Sequence, residues 1–128
     1  MAPSLGLRPG VAVDLEEIKT DGSERWDLDK QEDVDLVDAL IDQERPLLLT
    51  GSPPCEAFSQ LLHISKGKRD PSVMAAQKEL GRRRLHTAIR FYKKQHEAGR
   101  LFLHEHPDGA DSWSDEKVKS LASLPCIF

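Results

Sequence analysis

"RPLLLTGSPPCEAFS", residues 45–59, decides the fold. Three consecutive leucines make an apolar run too short for a helix, and Gly51 with Pro53 and Pro54 ends it sharply. The run therefore reads as a buried strand, with the Cys55 thiol just past its carboxyl end. The same alternation continues on either side. "GVAVDL", 10–15, is a second short apolar run, which suits a buried parallel strand with Asp14 at its end. Between the two, from Asp29 to Gln43, Val34, Val37, Leu40 and Ile41 recur at helical spacing. Downstream, "LLHISKGKRDPS" (61–72) reads as a long loop, and Ser72 to Ala98 as a helix with Leu85, Ala88, Ile89 and Tyr92 on its apolar side, stopped by Gly99. "RLFLHEHP" (100–107) predicts a further strand ended by Pro107, and "SWSDEKVKSLASL" a last helix from a Ser or Asp cap. The "RWDLD" segment (25–29) allows a short strand of its own. Strands and helices in strict alternation predict right-handed crossovers and a parallel sheet covered on both faces, a three-layer α/β/α arrangement.

The chain has 128 residues, which suits one domain or a piece of one. A hydrophobic share of 38% against 31% charged residues fits a globular chain, and no apolar stretch approaches the roughly 18 residues of a membrane span. The start "MAPSLGLRPG" lacks the basic flank and apolar core of a secretory signal. Two cysteines, Cys55 and Cys126, are too few for a disulfide scaffold and suit a reducing, intracellular compartment. The net charge of −4 conceals an asymmetry: residues 66–100 carry 11 Lys and Arg against 3 Asp and Glu, whereas residues 1–65 carry 5 against 14. A basic block of this kind is either a solvated helix face or a nucleic-acid surface, and its place just after Cys55 favours the second.

In a parallel sheet, ligands bind outside the carboxyl ends of the strands. Asp14, Asp27, Cys55 and Glu105 fall at or near such ends, so each is a candidate for one rim. Each also has a structural alternative. A cysteine beside prolines is often a buried small residue. Asp14 and Asp27 can cap turns, and Glu105 can be a solvated carboxylate. His104 and His106, two apart on a strand, are a candidate metal pair without an evident third ligand, so no metal is expected. A zinc deaminase would need an H-x-E ahead of P-C-x-x-C, and neither is present in that form.

The pattern resembles the C5-cytosine DNA methyltransferases. Their nucleophile motif is Pro-Pro-Cys followed after two residues by Phe-Ser, and this chain has "PPCEAFS" at 53–59; their next motif is a glutamate at the end of the following strand, and this chain has "EHP" at 105–107. "VAVDL" looks like the strand whose acid holds the cofactor ribose, and "WDL" like the segment whose Asp meets the adenine. The chain departs from the family's pattern where Glu56 replaces a Gln and where His106 and Pro107 replace Asn-Val. No glycine-rich first motif and no target-recognition region is found. The resemblance therefore implies an incomplete, Rossmann-like methyltransferase core spanning 1–128, either the centre of the family's catalytic domain or a divergent relative, with another chain or further segments completing it.

What the resemblance implies for the site follows residue by residue. Cys55 is the nucleophile that adds to cytosine C6, since a thiolate is the side chain best suited to reversible covalent attack. Glu105 is the proton-carrying carboxyl at N3. S-adenosylmethionine is the cofactor, contacted by Asp14, Asp27, Leu28, Ser52 and Pro53. DNA, with RNA as the alternative, is the partner, held by Ser59, Lys66, Lys68, Arg69, Arg82 and Arg83. A basic loop beside a thiol also lowers its pKa. An enzyme acting on genomic DNA would be nuclear. These 128 residues alone are expected to be inactive, and the alternative to an enzyme is a non-catalytic relic with at most weak nucleic-acid or cofactor binding.

Overall fold

A computed structural model of the chain describes residues 8, 10–14, 19, 22–53, 71–125 and 127. They belong to two compact units, residues 1–46 and 47–128.

In the first unit the main element is α1, Gln31–Glu44. Val34, Val37 and Ile41 recur at three- and four-residue intervals, and these are the apolar positions that become buried, while Leu40 is half-buried. Glu32 and Asp33 in the first turn complement the helix dipole. The helix ends at Arg45, whose φ of 46° is left-handed and whose N–H donates to the Ile41 carbonyl. Pro46 then prevents continuation. Around the helix start, the buried Lys19 ammonium lies 2.6 Å from Asp33 and 2.8 Å from Glu24, and Asp33 accepts the Asp27 amide at 2.7 Å. Hydrogen bonding to Lys19 holds the Asp33 and Glu24 carboxyls below their ordinary range, and the same bonds raise the Lys19 ammonium. Trp26, buried beside them, has Lys19 over its ring at 5.9 Å.

The second unit runs β1 (Leu48–Gly51), α2 (Pro71–Glu97), β2 (Leu101–His104), a 3₁₀ turn (Asp111–Ser114) and α3 (Glu116–Ala122). The two strands pair in parallel, with Leu48 opposite Leu101 and Gly51 opposite His104. A two-stranded sheet is marginal unless something packs on it, and here α2 does. Leu85, Ile89 and Tyr92 of α2 form the core with Ala110, Val118 and Leu121, and Leu49 and Phe102 reach it from the strands. Tyr92 stacks on Phe102 with ring centroids 4.8 Å apart. Each fully buried large apolar side chain is worth roughly 1.5–3 kcal/mol, so this cluster carries the unit.

Two local devices set the geometry. Gly99, at φ +74°, turns the chain from α2 into β2, and the wholly buried Gln95 secures that turn by donating to the Leu101 carbonyl and accepting from Arg100, each at 2.9 Å. Asp115 caps α3 through the Lys117 amide at 2.8 Å, and His86 of α2 approaches the same carboxylate at 3.0 Å. Burial pushes the Asp115 carboxyl up, but hydrogen bonds from His86 and the Lys117 amide outweigh it and leave the group below its ordinary value.

The structure is thus a mixed helix and parallel-strand fold, compatible with part of an α/β architecture. It differs from the expected sheet in two respects. Residues 10–14 are described and take no regular secondary structure, so no strand ends at Asp14 there. An apolar run becomes a strand only where a neighbour takes its hydrogen bonds and its side chains are covered, and Val11 is 43% exposed. Among the described residues of the second unit, the core also packs on one face of the sheet only. Alternation turns Leu49, Gly51, Phe102 and His104 toward α2, whereas Leu48, Leu101 and Leu103 on the other face stay exposed.

Candidate functional site

The parallel register places the exits of β1 and β2 side by side. Past the last strand pair, the Glu105 amide donates to the Gly51 carbonyl at 2.9 Å, so the ladder runs one residue beyond the strands. Ser52 and Pro53 leave β1 at the same level. The Glu105 side chain is exposed. His106, next along, is buried: Nε2 donates to the Pro53 carbonyl at 2.8 Å, and Nδ1 meets the Ser112 hydroxyl at 2.6 Å.

The rim is backed by a second polar pair. Gly51 has no side chain, and a Cβ there would overlap the Tyr92 ring and hydroxyl. That absence lets Tyr92 lie against the strand, where its hydroxyl and His104 Nδ1 share a 2.8 Å hydrogen bond. Burial pushes the Tyr92 hydroxyl pKa up. Burial and the neighbouring His106 ring push the His104 imidazole down to about 4, so it is neutral at pH 7. His104 Nε2 is buried without a hydrogen-bond partner among the described residues, and the Trp113 ring stands edge-to-face at 5.4 Å.

The sequence candidates distribute as follows. Glu105, Ser52 and Pro53 meet at this rim. Cys55, Ser59, Lys66, Lys68 and Arg69 lie outside the described residues, as does Cys126. Arg82 and Arg83 are exposed on α2, Arg82 with Glu79 at 3.5 Å. Asp14, Asp27 and Leu28 belong to the first unit. Asp14 is exposed. Asp27 builds a turn, its carboxylate accepting the Asp29 amide at 3.0 Å, which is the capping role open to it from sequence. Leu28 is half-buried.

Of the ring nitrogens of His104 and His106, all but His104 Nε2 are engaged in hydrogen bonds. The two rings lie 4.7 Å apart, but His104 is bonded to Tyr92, and both nitrogens of His106 have partners. Among the described residues no group of three or more His, Cys, Asp or Glu side chains could hold a metal ion, and no helix is long and apolar enough to cross a membrane. A groove of about 560 Å³ opens beside β2 and α3, but Ser52, Pro53 and Glu105 do not line it.

Sequence reasoning missed the His106–Pro53 bond, the Tyr92–His104 pair and the Lys19–Asp33 cluster. For His106 a signal existed: two successive prolines leave only carbonyls to tie down, and a donor has to come from elsewhere. No protein-family model matches the chain, and no match was found among curated proteins or solved structures.

Proposed function

We propose that the chain is a C5-cytosine methyltransferase-like domain, part of a Rossmann-like core, with Cys55 as nucleophile and Glu105 as proton carrier. One observation supports this above others. The strand that leads into "PPC" and the strand that leads into "EHP" are neighbours in parallel, and Glu105 is bonded through its amide to Gly51, four residues before Cys55. Glu105 thereby leaves its strand beside the end of the strand that precedes "PPC" in the sequence, and strand ends are the place where open α/β sheets bind ligands.

The chemistry follows from those side chains. The Cys55 thiolate forms a bond to cytosine C6. Glu105 holds a proton at N3 and accepts from the exocyclic amine, so the electrons displaced from the C5–C6 bond make C5 nucleophilic. S-adenosylmethionine, when bound, supplies the methyl group that C5 takes. Solvent water then takes the C5 proton, and the electrons of that C–H bond re-form the C5–C6 double bond as the C6–S bond breaks and returns the thiolate. The Ser52 hydroxyl at the rim suits such a cofactor by donor type. Arg82 and Arg83, exposed on α2, supply cationic groups for the phosphate backbone, a sequence-independent and salt-dependent contribution. The target base has to leave the stack, which costs a few kcal/mol.

The absence of a strand at residues 10–14 favours a second reading, a relic that keeps part of the fold without turnover. Trapping on DNA containing 5-fluorocytosine separates the two, because fluorine at C5 blocks the elimination that frees the thiol. In the full-length gene product with S-adenosylmethionine, an adduct is expected that Cys55→Ser abolishes and Cys126→Ser leaves intact. A relic forms none.

A further inference from the structure

Pro53 and Pro54 set a problem that the backbone cannot solve by itself. Neither has an N–H, so the backbone at these two residues offers only carbonyl acceptors and is tied down only by a donor from elsewhere. His106 is such a donor. A carbonyl oxygen can only accept, so the hydrogen lies on Nε2, 2.8 Å from the Pro53 oxygen; in the neutral ring, Nδ1 then accepts from the Ser112 hydroxyl at 2.6 Å. Ser112 is 1% exposed and sits in the 3₁₀ turn, which is itself held by the Trp113 indole N–H and the Ala110 amide, both donating to the Pro107 carbonyl. One imidazole therefore joins the exit of β1 to the exit of β2, 53 residues away in sequence, and to the 3₁₀ turn that follows β2. A buried network whose members are partnered holds one arrangement and resists others.

We propose that His106 is a positioning residue, which fixes the backbone at Pro53, two residues before Cys55 in the sequence, and through it the reactivity of that thiol. Its catalytic consequence rests on the reading of Cys55 as the nucleophile; the hydrogen bond to Pro53 does not. His106 acts on the covalent step through Cys55 and leaves DNA affinity alone.

The side chains that replace it can be chosen by reach. A glutamine amide nitrogen extends about as far as Nε2 and retains a donor for Pro53. An asparagine amide extends only as far as Nδ1, and alanine has no donor. The test compares His106→Gln, His106→Asn and His106→Ala in the full-length gene product. Three quantities are read: the rate of trapping on 5-fluorocytosine DNA, the equilibrium DNA affinity, and the iodoacetamide alkylation rate of Cys55 relative to Cys126. A misplacement of about 1 Å can cost on the order of 100-fold, so His106→Ala and His106→Asn are expected to slow trapping by about tenfold or more, with His106→Gln close to wild type and DNA affinity unchanged in all three. The Cys55 alkylation ratio departs from wild type in His106→Ala and His106→Asn and is kept in His106→Gln. Equal effects in all three variants, or no effect in any, overturn the proposal. If His106→Ala fails to fold, the contrast between the Asn and Gln variants decides. If wild type traps nothing, the methyltransferase reading fails, and the alkylation series alone judges the role of His106 by the same two outcomes.

Discussion

Residues 1–46 and 47–128 are organised by different forces. In the first unit the described interior is ionic at its centre: Lys19 bridges Asp33 and Glu24, Asp33 takes the Asp27 amide, and Trp26 with one stripe of α1 supplies the apolar part. In the second, an apolar cluster between α2, α3 and two strands is the centre, and polar groups serve as ties at its margin, Gln95 at one end of β2 and His106 at the other. Apolar packing is non-directional and tolerates variation in a loop; an ion cluster holds only while every partner stays charged. The candidate rim of Ser52, Pro53 and Glu105 lies in the packed unit, at the strand ends.

One tryptophan in each unit, Trp26 and Trp113, allows the contrast to be measured by fluorescence with the other replaced by Phe. The largest effect is expected from Leu85→Ala, which empties a wholly buried site in the second unit. A loss of about 2–5 kcal/mol should appear in urea unfolding read at Trp113, with a smaller shift at Trp26. Gly51→Ala comes next. The new methyl meets the Tyr92 ring, and overpacking of this kind costs about 1–3 kcal/mol, again at Trp113.

Acid separates the units by sign and window. His104 is depressed from 6.5 to about 4 in the folded state, so the unfolded chain binds a proton that the folded chain refuses. Its contribution is present above pH about 6.5 and is lost as pH falls toward about 4. Asp33 and Glu24 are depressed from 3.8 and 4.5, so their contribution to the first unit is intact until pH falls through that lower range. Trp113 should therefore report weakening at mildly acidic pH, and Trp26 only below about pH 4.5. Simultaneous loss at both would break the contrast. The smallest effect is a gain. Arg45 closes α1 in a left-handed conformation that suits glycine, so Arg45→Gly should stabilise by a few tenths to about 1 kcal/mol, seen at Trp26.

Much of the second unit was legible. The leucine run before "GSPP" became β1, the run after Gly99 became β2, and Leu85, Ile89 and Tyr92 at helical spacing became the core face of α2. Period and punctuation are local properties and survive into the structure. What was not legible depends on partners. "GVAVDL" has the apolar content of a strand, but residues 10–14 form none, because a strand also requires a neighbour. His104 and His106 share a side by alternation and read as a pair, yet they bond to different partners, and the Pro53 carbonyl is 53 residues from His106. Asp27 sits in a segment with a ligand-like pattern, while its carboxylate closes a local turn.

The proposed chemistry turns on Glu105 serving the thiol of Cys55. The most direct test is the rate of covalent trapping on 5-fluorocytosine DNA by the Glu105→Gln protein, with DNA affinity measured in parallel. A positioned proton carrier contributes about 10²–10⁴ in rate, so trapping should slow by that order while DNA affinity stays at the wild-type value. Trapping by Glu105→Gln at the wild-type rate, or an adduct found on Cys126 instead of Cys55, would contradict it.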